Sequence, residues 1–271
     1  MNLENKNILL TGACGGLGTE LARQLHRSGA NLILVGRNSE ALDRLKTELN
    51  QYDGSTSICV TADISKLAGR EELIDYCKTH HADLDILINN AGVNEFALLA
   101  DSDGKAYANI LETNLTAPIH IIHQLLPLLK ARKEAAIVNV GSTFGNIGFP
   151  GYSVYSATKF GLRGFTEALR RELVDDNFQV LYFAPRAIQT KMNSEVADEM
   201  NHQLGSKSDS PEDVAKQLVQ ALINGKTKQS FVGWPEKFFV RLNSLFPSIV
   251  DGAMKKQFST VKKYSENNFI D

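Results

Sequence analysis

Two residues of this chain, Tyr155 and Lys159, carry side chains that could move a proton at a carbon–oxygen bond. Their spacing of four places both on one face of a helix, one turn apart. A phenol with a reference pKa of about 10 is a poor acid or base at neutral pH. An ammonium beside it favours the phenolate and is expected to lower that value. Such a pair can exchange a proton with a carbonyl or alcohol oxygen. Ser142, just after the apolar run Ala136–Val140, can donate a second hydrogen bond to the same oxygen. A Tyr–Lys pair alone is an ordinary helix surface. Converging groups make it a candidate site.

A second cluster lies near the start of the chain. Ile8-Leu9-Leu10 is followed by Thr11-Gly12-Ala13-Cys14-Gly15-Gly16-Leu17-Gly18, and then by Leu21 and Leu25 at helical spacing. Glycines between a strand and a helix let the backbone turn tightly and approach a pyrophosphate. The helix that follows points its free N–H groups and positive end at the same anion.

The elements that must position these residues recur along the chain. Short apolar runs (Leu32–Val35, Ser57–Val60, Leu84–Ile88, Ala136–Val140, Val180–Phe183 and Ser230–Val232) alternate with stretches of helical periodicity. Continuous apolar strands alternating with amphipathic helices argue for a parallel sheet covered on both faces. Right-handed crossovers then give an α/β, doubly wound Rossmann fold of about seven strands. The expected division is a dinucleotide-binding and catalytic domain over 1–235 and a helical extension over 236–271.

The glycine spacing, with Asn89-Asn90-Ala91-Gly92 after the fourth strand, Ser142 after the fifth, Tyr155-x-x-x-Lys159 and Pro185 after the sixth, resembles the short-chain dehydrogenase/reductase family over residues 5 to about 233. The resemblance implies an oxidoreductase that interconverts a carbonyl and an alcohol with a nicotinamide dinucleotide. Tyr155 is then the general acid/base, Ser142 orients the oxygen and Lys159 holds the ribose. Gly12, Cys14, Gly15, Gly16, Leu17, Gly18, Asn90, Ala91 and Gly92 line the cofactor. Asp63 contacts the adenine amino group and Ile64 packs on the ring, while Asp63 is also placed to cap the next helix. Pro185, Ile188 and Thr190 hold the nicotinamide. Asn114 is the fourth catalytic member, and a water on its carbonyl links Lys159 to solvent. Pro118, four residues on within the helix-like stretch Leu111–Leu129, lacks the N–H that would occupy that carbonyl. The family pattern has Gly where this chain has Arg186. That guanidinium could pair with an anion, although a solvated side chain is the more ordinary reading. The loop bearing Phe144, Phe149 and Tyr152 walls the substrate site, and its apolar content favours a hydrophobic substrate.

The second strand ends in Gly36-Arg37-Asn38 rather than in the acid that binds a ribose 2′-hydroxyl. Gly36 leaves room, and Arg37 offers a planar donor fork for a 2′-phosphate. The expected cofactor is therefore NADP(H). A dinucleotide-binding regulator with little activity is the alternative, and the complete set Asn114, Ser142, Tyr155 and Lys159 argues against it.

Composition narrows the field. The chain has 271 residues, with Lys+Arg 29 against Asp+Glu 31 and 43% hydrophobic residues. This near-neutral balance excludes a broadly basic nucleic-acid binder. Cys14, Cys59 and Cys77 form no metal or redox spacing. His120 and His123 lack further ligands, so no metal is expected. No apolar run approaches the roughly 18 residues that span a bilayer, and the first residues lack a signal-peptide pattern, so a cytoplasmic location is expected. Helices over Asn114–Leu129 and Tyr155–Leu173 pack between subunits in much of the family, which implies a homodimer or homotetramer. From Glu236 onward, Phe238, Leu242, Leu245, Phe246, Ile249, Val250 and Ala253 fall on one helical stripe, interrupted by Pro247. Six cations against Glu236 and Asp251 accompany it through Lys263. The segment reads as a lid, a subunit contact or a helix lying on an anionic membrane.

Overall fold

The strands are β1 (Asn7–Thr11), β2 (Asn31–Gly36), β3 (Ser57–Thr61), β4 (Ile86–Asn89), β5 (Ala135–Val140), β6 (Phe178–Ala184) and β7 (Ser230–Phe231). All pair in parallel, in the order β3-β2-β1-β4-β5-β6-β7. Six strands form the body of the sheet, and the seventh is two residues at its edge. The computed structural model describes residues 1–51, 55–227, 230, 231, 233 and 236–267; for Phe231, Glu236, Lys237 and Asn267 it describes the backbone alone.

Successive side chains of a strand point to opposite faces, so each apolar strand feeds two cores. On one face, Leu10, Leu34, Ile88, Val138 and Phe183 pack against α1 (Gly16–Arg27), α2 (Ser39–Leu49) and α8 (Pro211–Ile223). On the other, Leu9, Ile33, Leu87, Ile137 and Val180 pack against α3 (Leu67–His80), α5 (Ala117–Lys130) and α6 (Ser153–Glu172). Strand order reverses between β1 and β4. In open sheets of this kind the crevice beyond the carboxyl ends at that reversal is where ligands bind.

The helix expected over Leu111–Leu129 is divided. Helix α4 (Gly104–Leu111) runs into a π turn over Glu112–Thr116, in which the Ala117 N–H reaches back to the Glu112 carbonyl, and α5 follows. Pro118 thus lies in the first turn of α5, where its missing N–H costs little. The π turn takes up an extra residue just before the proline.

After β6 come α7 (Glu195–Gln203) and α8, and the chain ends in α9 (Glu236–Leu245) and α10 (Pro247–Asn267). The expected single stripe is corrected here. The helix breaks between Leu245 and Pro247, because proline cannot continue the hydrogen-bond ladder. Val250 turns inward with Val261, whereas Phe238, Leu245, Phe246 and Ile249 remain exposed. Trp234 and Pro235, at the expected domain boundary, lie outside the described residues.

Phe183 is the largest fully buried side chain and sits where β5, β6 and α8 meet. Phe183→Ala should lower the unfolding free energy by about 3–5 kcal/mol, the usual cost of a large core cavity. Chemical denaturation checks this, and a loss below about 1 kcal/mol would mean that the cavity collapses.

Candidate active site

Tyr155 and Lys159 stand on the first two turns of α6, whose N-terminus lies at the carboxyl end of β5. The Lys159 Nζ is 5.5 Å from the centre of the Tyr155 ring and donates to the Val140 carbonyl at 3.0 Å. Ser142 follows β5 in extended backbone. Its Oγ accepts the Phe144 N–H at 3.1 Å, which leaves the hydroxyl hydrogen free to be donated. The Ser142 hydroxyl faces the Tyr155 phenol and favours its ionised form.

The electrostatics reverse one expectation. Burial pushes the Tyr155 phenol up to about 12, and the Ser142 bond offsets only part of that rise. Burial pulls Lys159 down to about 8. The ammonium does not lower the phenol as expected, because Lys159, 4% exposed and pulled down to about 8, has lost its charge before a phenol near 12 ionises. Tyr155 is therefore protonated at neutral pH. The lowered Lys159 value also means that the unfolded chain holds this proton more tightly. Its burial opposes folding below about pH 8, and that opposition fades as pH rises toward the free value of 10.5.

Asn114 is 1% exposed and lies within the π turn. Its amide clamps the chain after β4: Nδ2 donates to the Val93 carbonyl at 2.8 Å, and Oδ1 accepts the Val93 N–H at 2.9 Å. Gly92 lies between it and the lysine. A Cβ there would stand 3.4 Å from Asn114 Oδ1 and 3.7 Å from Lys159 Nζ. Asn114, Ser142, Tyr155 and Lys159 thus surround the carboxyl ends of β4 and β5.

The glycine turn is built by close approach. Gly12 has φ +66°, and a Cβ on it would lie 2.7 Å from Ala91 Cα. A Cβ on Gly16 would lie 2.6 Å from the Thr190 methyl carbon. Gly15 caps α1 without a side chain, so no side chain blocks the first N–H groups of Gly16, Leu17 and Gly18. Asn90 works from behind, its Nδ2 donating to the carbonyls of Thr11 and Gly12 at 3.0 and 3.1 Å.

Three expected residues are engaged differently from a bare ligand contact. Asn38 caps α2, accepting the Ala41 N–H at 2.9 Å. Asp63 accepts both the N–H and the hydroxyl of Ser65, and Lys66 rather than Asp63 precedes α3, so the expected helix cap is a local turn. Arg186 is not a solvated charge. Its Nε donates to Asp209 at 2.9 Å in a largely buried forked pair, beside the bridge that joins Ile188 to Asp209. Buried Ile64 lies next to Asp63, and its carbonyl accepts from Arg70. Pro185 accepts the Thr143 N–H through its carbonyl. Arg37 is exposed, and no hydrogen bond or ion pair is found for it among the described residues.

The aromatic loop converges on Tyr155. Phe144 stacks on Phe149 with ring centres 5.2 Å apart and meets the Tyr155 ring edge-on at 6.3 Å. Tyr152 joins all three. Behind them lie Phe96, Met200 of α7, and Val261 and Tyr264 of α10. These four were not anticipated. Only the i, i+4, i+11 spacing of Val250, Met254 and Val261 hinted that α10 has an inward face. Arg44, another residue missed, lines a cleft with Cys14, Thr19, Ala41 and Leu45 between α1 and α2.

The arrangement fits a class of enzyme that exchanges a proton at a carbonyl or alcohol beside a bound dinucleotide. The family model described as "short chain dehydrogenase" matches residues 6–201, and the chain belongs to that family. It is 32% identical over 244 residues to bovine "Dehydrogenase/reductase SDR family member 7B", covering 85% of this chain and 74% of that protein. It is 34% identical over 208 residues to "Nodulation protein G" of Rhizobium meliloti, covering 76% of this chain and 80% of that one. A short-chain dehydrogenase/reductase from Burkholderia phymatum, solved with NAD, superimposes with TM-score 0.82 at 22% identity over 92% of this chain and 96% of its own. One from Sphingobium yanoikuyae, solved with NADPH, gives 0.76 at 23% identity over 94% and 95%.

Catalysis that needs a cationic Lys159 should weaken as that group deprotonates. For carbonyl reduction, kcat/KM should fall above about pH 8, following the lowered lysine. In Lys159→Arg, whose guanidinium keeps its charge, the alkaline limb should move upward. An unmoved limb in that variant would assign the titration to another group.

Proposed function

We propose that this protein reduces a hydrophobic ketone or aldehyde to its alcohol with NADPH. The observation that carries the reading is the packing of Phe144 and Tyr152 against Tyr155, with Phe149 stacked on Phe144 and the Ser142 hydroxyl facing the phenol. The turn fits a dinucleotide, since Cβ atoms at Gly12 and Gly16 would fill the cradle and α1 begins without a side-chain cap. The bound dinucleotide supplies the hydride. Ser142 donates a hydrogen bond to the carbonyl oxygen and fixes its position. Tyr155, protonated at neutral pH, gives that oxygen its proton. Lys159 stands where it can pass a replacement proton, and the main-chain carbonyl of Asn114, left without an i+4 donor by Pro118, offers a water site toward solvent. The aromatic wall excludes water and admits an apolar substrate body. Arg37 is free to meet a 2′-phosphate. Arg44 is a second cation on that side, and its exposed 3.7 Å pair with Glu40 is weak enough to yield.

The test is NADPH consumption against ketones and aldehydes of increasing chain length. Rates should rise with chain length, and Tyr155→Phe should lower kcat by about a hundred- to ten-thousand-fold. Arg37→Ala should raise KM for NADPH and leave that for NADH unchanged. Equal rates with both dinucleotides in the parent protein would overturn the cofactor preference, and activity retained in Tyr155→Phe would overturn the mechanism.

Three further parts of the reading rest on the outer helices. Tyr107, Leu111 and Phe160 are exposed on α4 and α6, which supports a homo-oligomer contact there. Helix α10 closes the back of the aromatic wall, so it acts as a lid. The elbow from α9 to α10 exposes Phe238, Phe239, Leu245 (73%), Phe246 and Ile249 (57%). Lys256 and Lys263 continue the face of Ile249 at seven-residue spacing, and Arg241 stands on α9 among its exposed phenylalanines. This combination suits a peripheral seat on an anionic membrane. No helix among the described residues is long and apolar enough to cross a membrane. The protein should float with vesicles containing phosphatidylserine and not with phosphatidylcholine alone, and Phe246→Glu should abolish flotation. Failure to float, with Phe246→Glu converting a dimer to a monomer by light scattering, would assign the elbow to a second copy.

A further inference from the structure

Tyr182, in the middle of β6, lies outside every part of the site described above, yet it touches two of its members. The residue is 3% exposed, and its ring packs with Leu162 and Ala184, beside Leu115 and Phe165. Its hydroxyl accepts the backbone N–H of Ser142 at 3.3 Å and donates to the backbone carbonyl of Lys159 at 3.1 Å, with the Ser142 carbonyl a further acceptor at 3.4 Å. One phenol thus joins the strand end that carries Ser142 to the helix that carries Tyr155 and Lys159.

The chain around Tyr182 is shaped to receive it. A Cβ on Gly141 would lie 2.3 Å from the Tyr182 hydroxyl oxygen and 2.0 Å from the ring carbon that bears it. A Cβ on Gly145 would lie 2.1 Å from the same oxygen and 2.8 Å from the Lys159 carbonyl oxygen. Neither glycine has a positive φ, so the space is what requires them. Both glycines flank Ser142 in sequence. Burial moves the Tyr182 phenol up, so it remains a protonated donor throughout the working pH range.

We propose that Tyr182 is a positioning residue, whose hydroxyl sets the distance between the Ser142 hydroxyl and the Tyr155 phenol by bracing the backbone of Ser142 against that of Lys159. The substrate never touches it. The inference rests on the reading of Ser142 and Tyr155 as the pair that meets the carbonyl oxygen. Misplacing a catalytic group by a fraction of an ångström costs rate far more than it costs folding.

Tyr182→Phe is the test, because the ring still fills the hollow beside Gly141 and Gly145 while the hydroxyl is gone. In NADPH-dependent reduction, kcat should fall about tenfold or more, with KM for the carbonyl compound within about twofold. Independently of turnover, the ionisation of Tyr155 can be read from tyrosinate absorbance, as the difference between each protein and its Tyr155→Phe counterpart. A loosened Ser142 bond should raise the Tyr155 midpoint in the Tyr182→Phe background. Gly145→Ala, which drives the hydroxyl from its seat, should produce the same displacement. Wild-type kcat together with an unmoved Tyr155 titration in Tyr182→Phe would overturn the proposal, as would a lowered melting temperature with the titration unmoved, which marks packing alone. If the parent protein turns over no carbonyl compound, the proposed function fails and the titration still decides the role of Tyr182.

Discussion

The site depends on how the carboxyl ends of β1 and β4 are tied together. These neighbours sit at the reversal of strand order, and the chains leaving them diverge. Their last backbone groups would be left unpaired in a buried place, which is costly. The Thr11 hydroxyl accepts the N–H groups of both Asn90 and Ala91, and the Asn90 amide satisfies the carbonyls of Thr11 and Gly12. This small polar lock fixes the glycine turn against Ala91. With Gly12 so close to Ala91, no side chain fits at Gly12. The same lock carries the chain on to Val93, where Asn114 takes over with two hydrogen bonds.

A second polar chain runs through the sheet below. Asn89 donates to Asn139, and Asn139 donates to Thr166 on α6. The strand ends and the catalytic helix are thus tied by directional bonds inside an otherwise apolar layer. Directional bonds specify relative position where apolar packing alone tolerates slippage. That precision matters because Tyr155, Lys159 and Ser142 come from two different elements. Burial of Lys159 is the cost of this arrangement, and it also moves the lysine into the range where its proton can be exchanged.

Much of this was legible in residues 5–233. Strand and helix periodicity predicted the doubly wound sheet, and the spacing of Tyr155 and Lys159 predicted a shared helix face. The π turn at Glu112–Thr116 was not legible. Pro118 marks that a hydrogen bond must be lost, but whether the chain kinks or adds a residue depends on what packs against it, here Arg70 bonded to Glu112 and to the Ile64 carbonyl. The partner of Arg186 was equally hidden, because Asp209 is 23 residues away and is brought near only by the bridge to Ile188.

Sequence alone determined the order of elements, the glycine turn between β1 and α1 and the set of candidate proton-handling groups, because each is written in local spacing that a strand or helix converts directly into geometry. Tertiary structure decided the rest. It buried the Tyr155 phenol together with Lys159 and so inverted the expected shift of Tyr155, since burial depends on neighbours distant in the chain. It also folded α10 behind the aromatic loop, split the C-terminal stripe into an inward and an outward part, and set the hydroxyl of Tyr182 between Ser142 and Lys159. Each of these depends on which surfaces meet, and a linear pattern does not encode that.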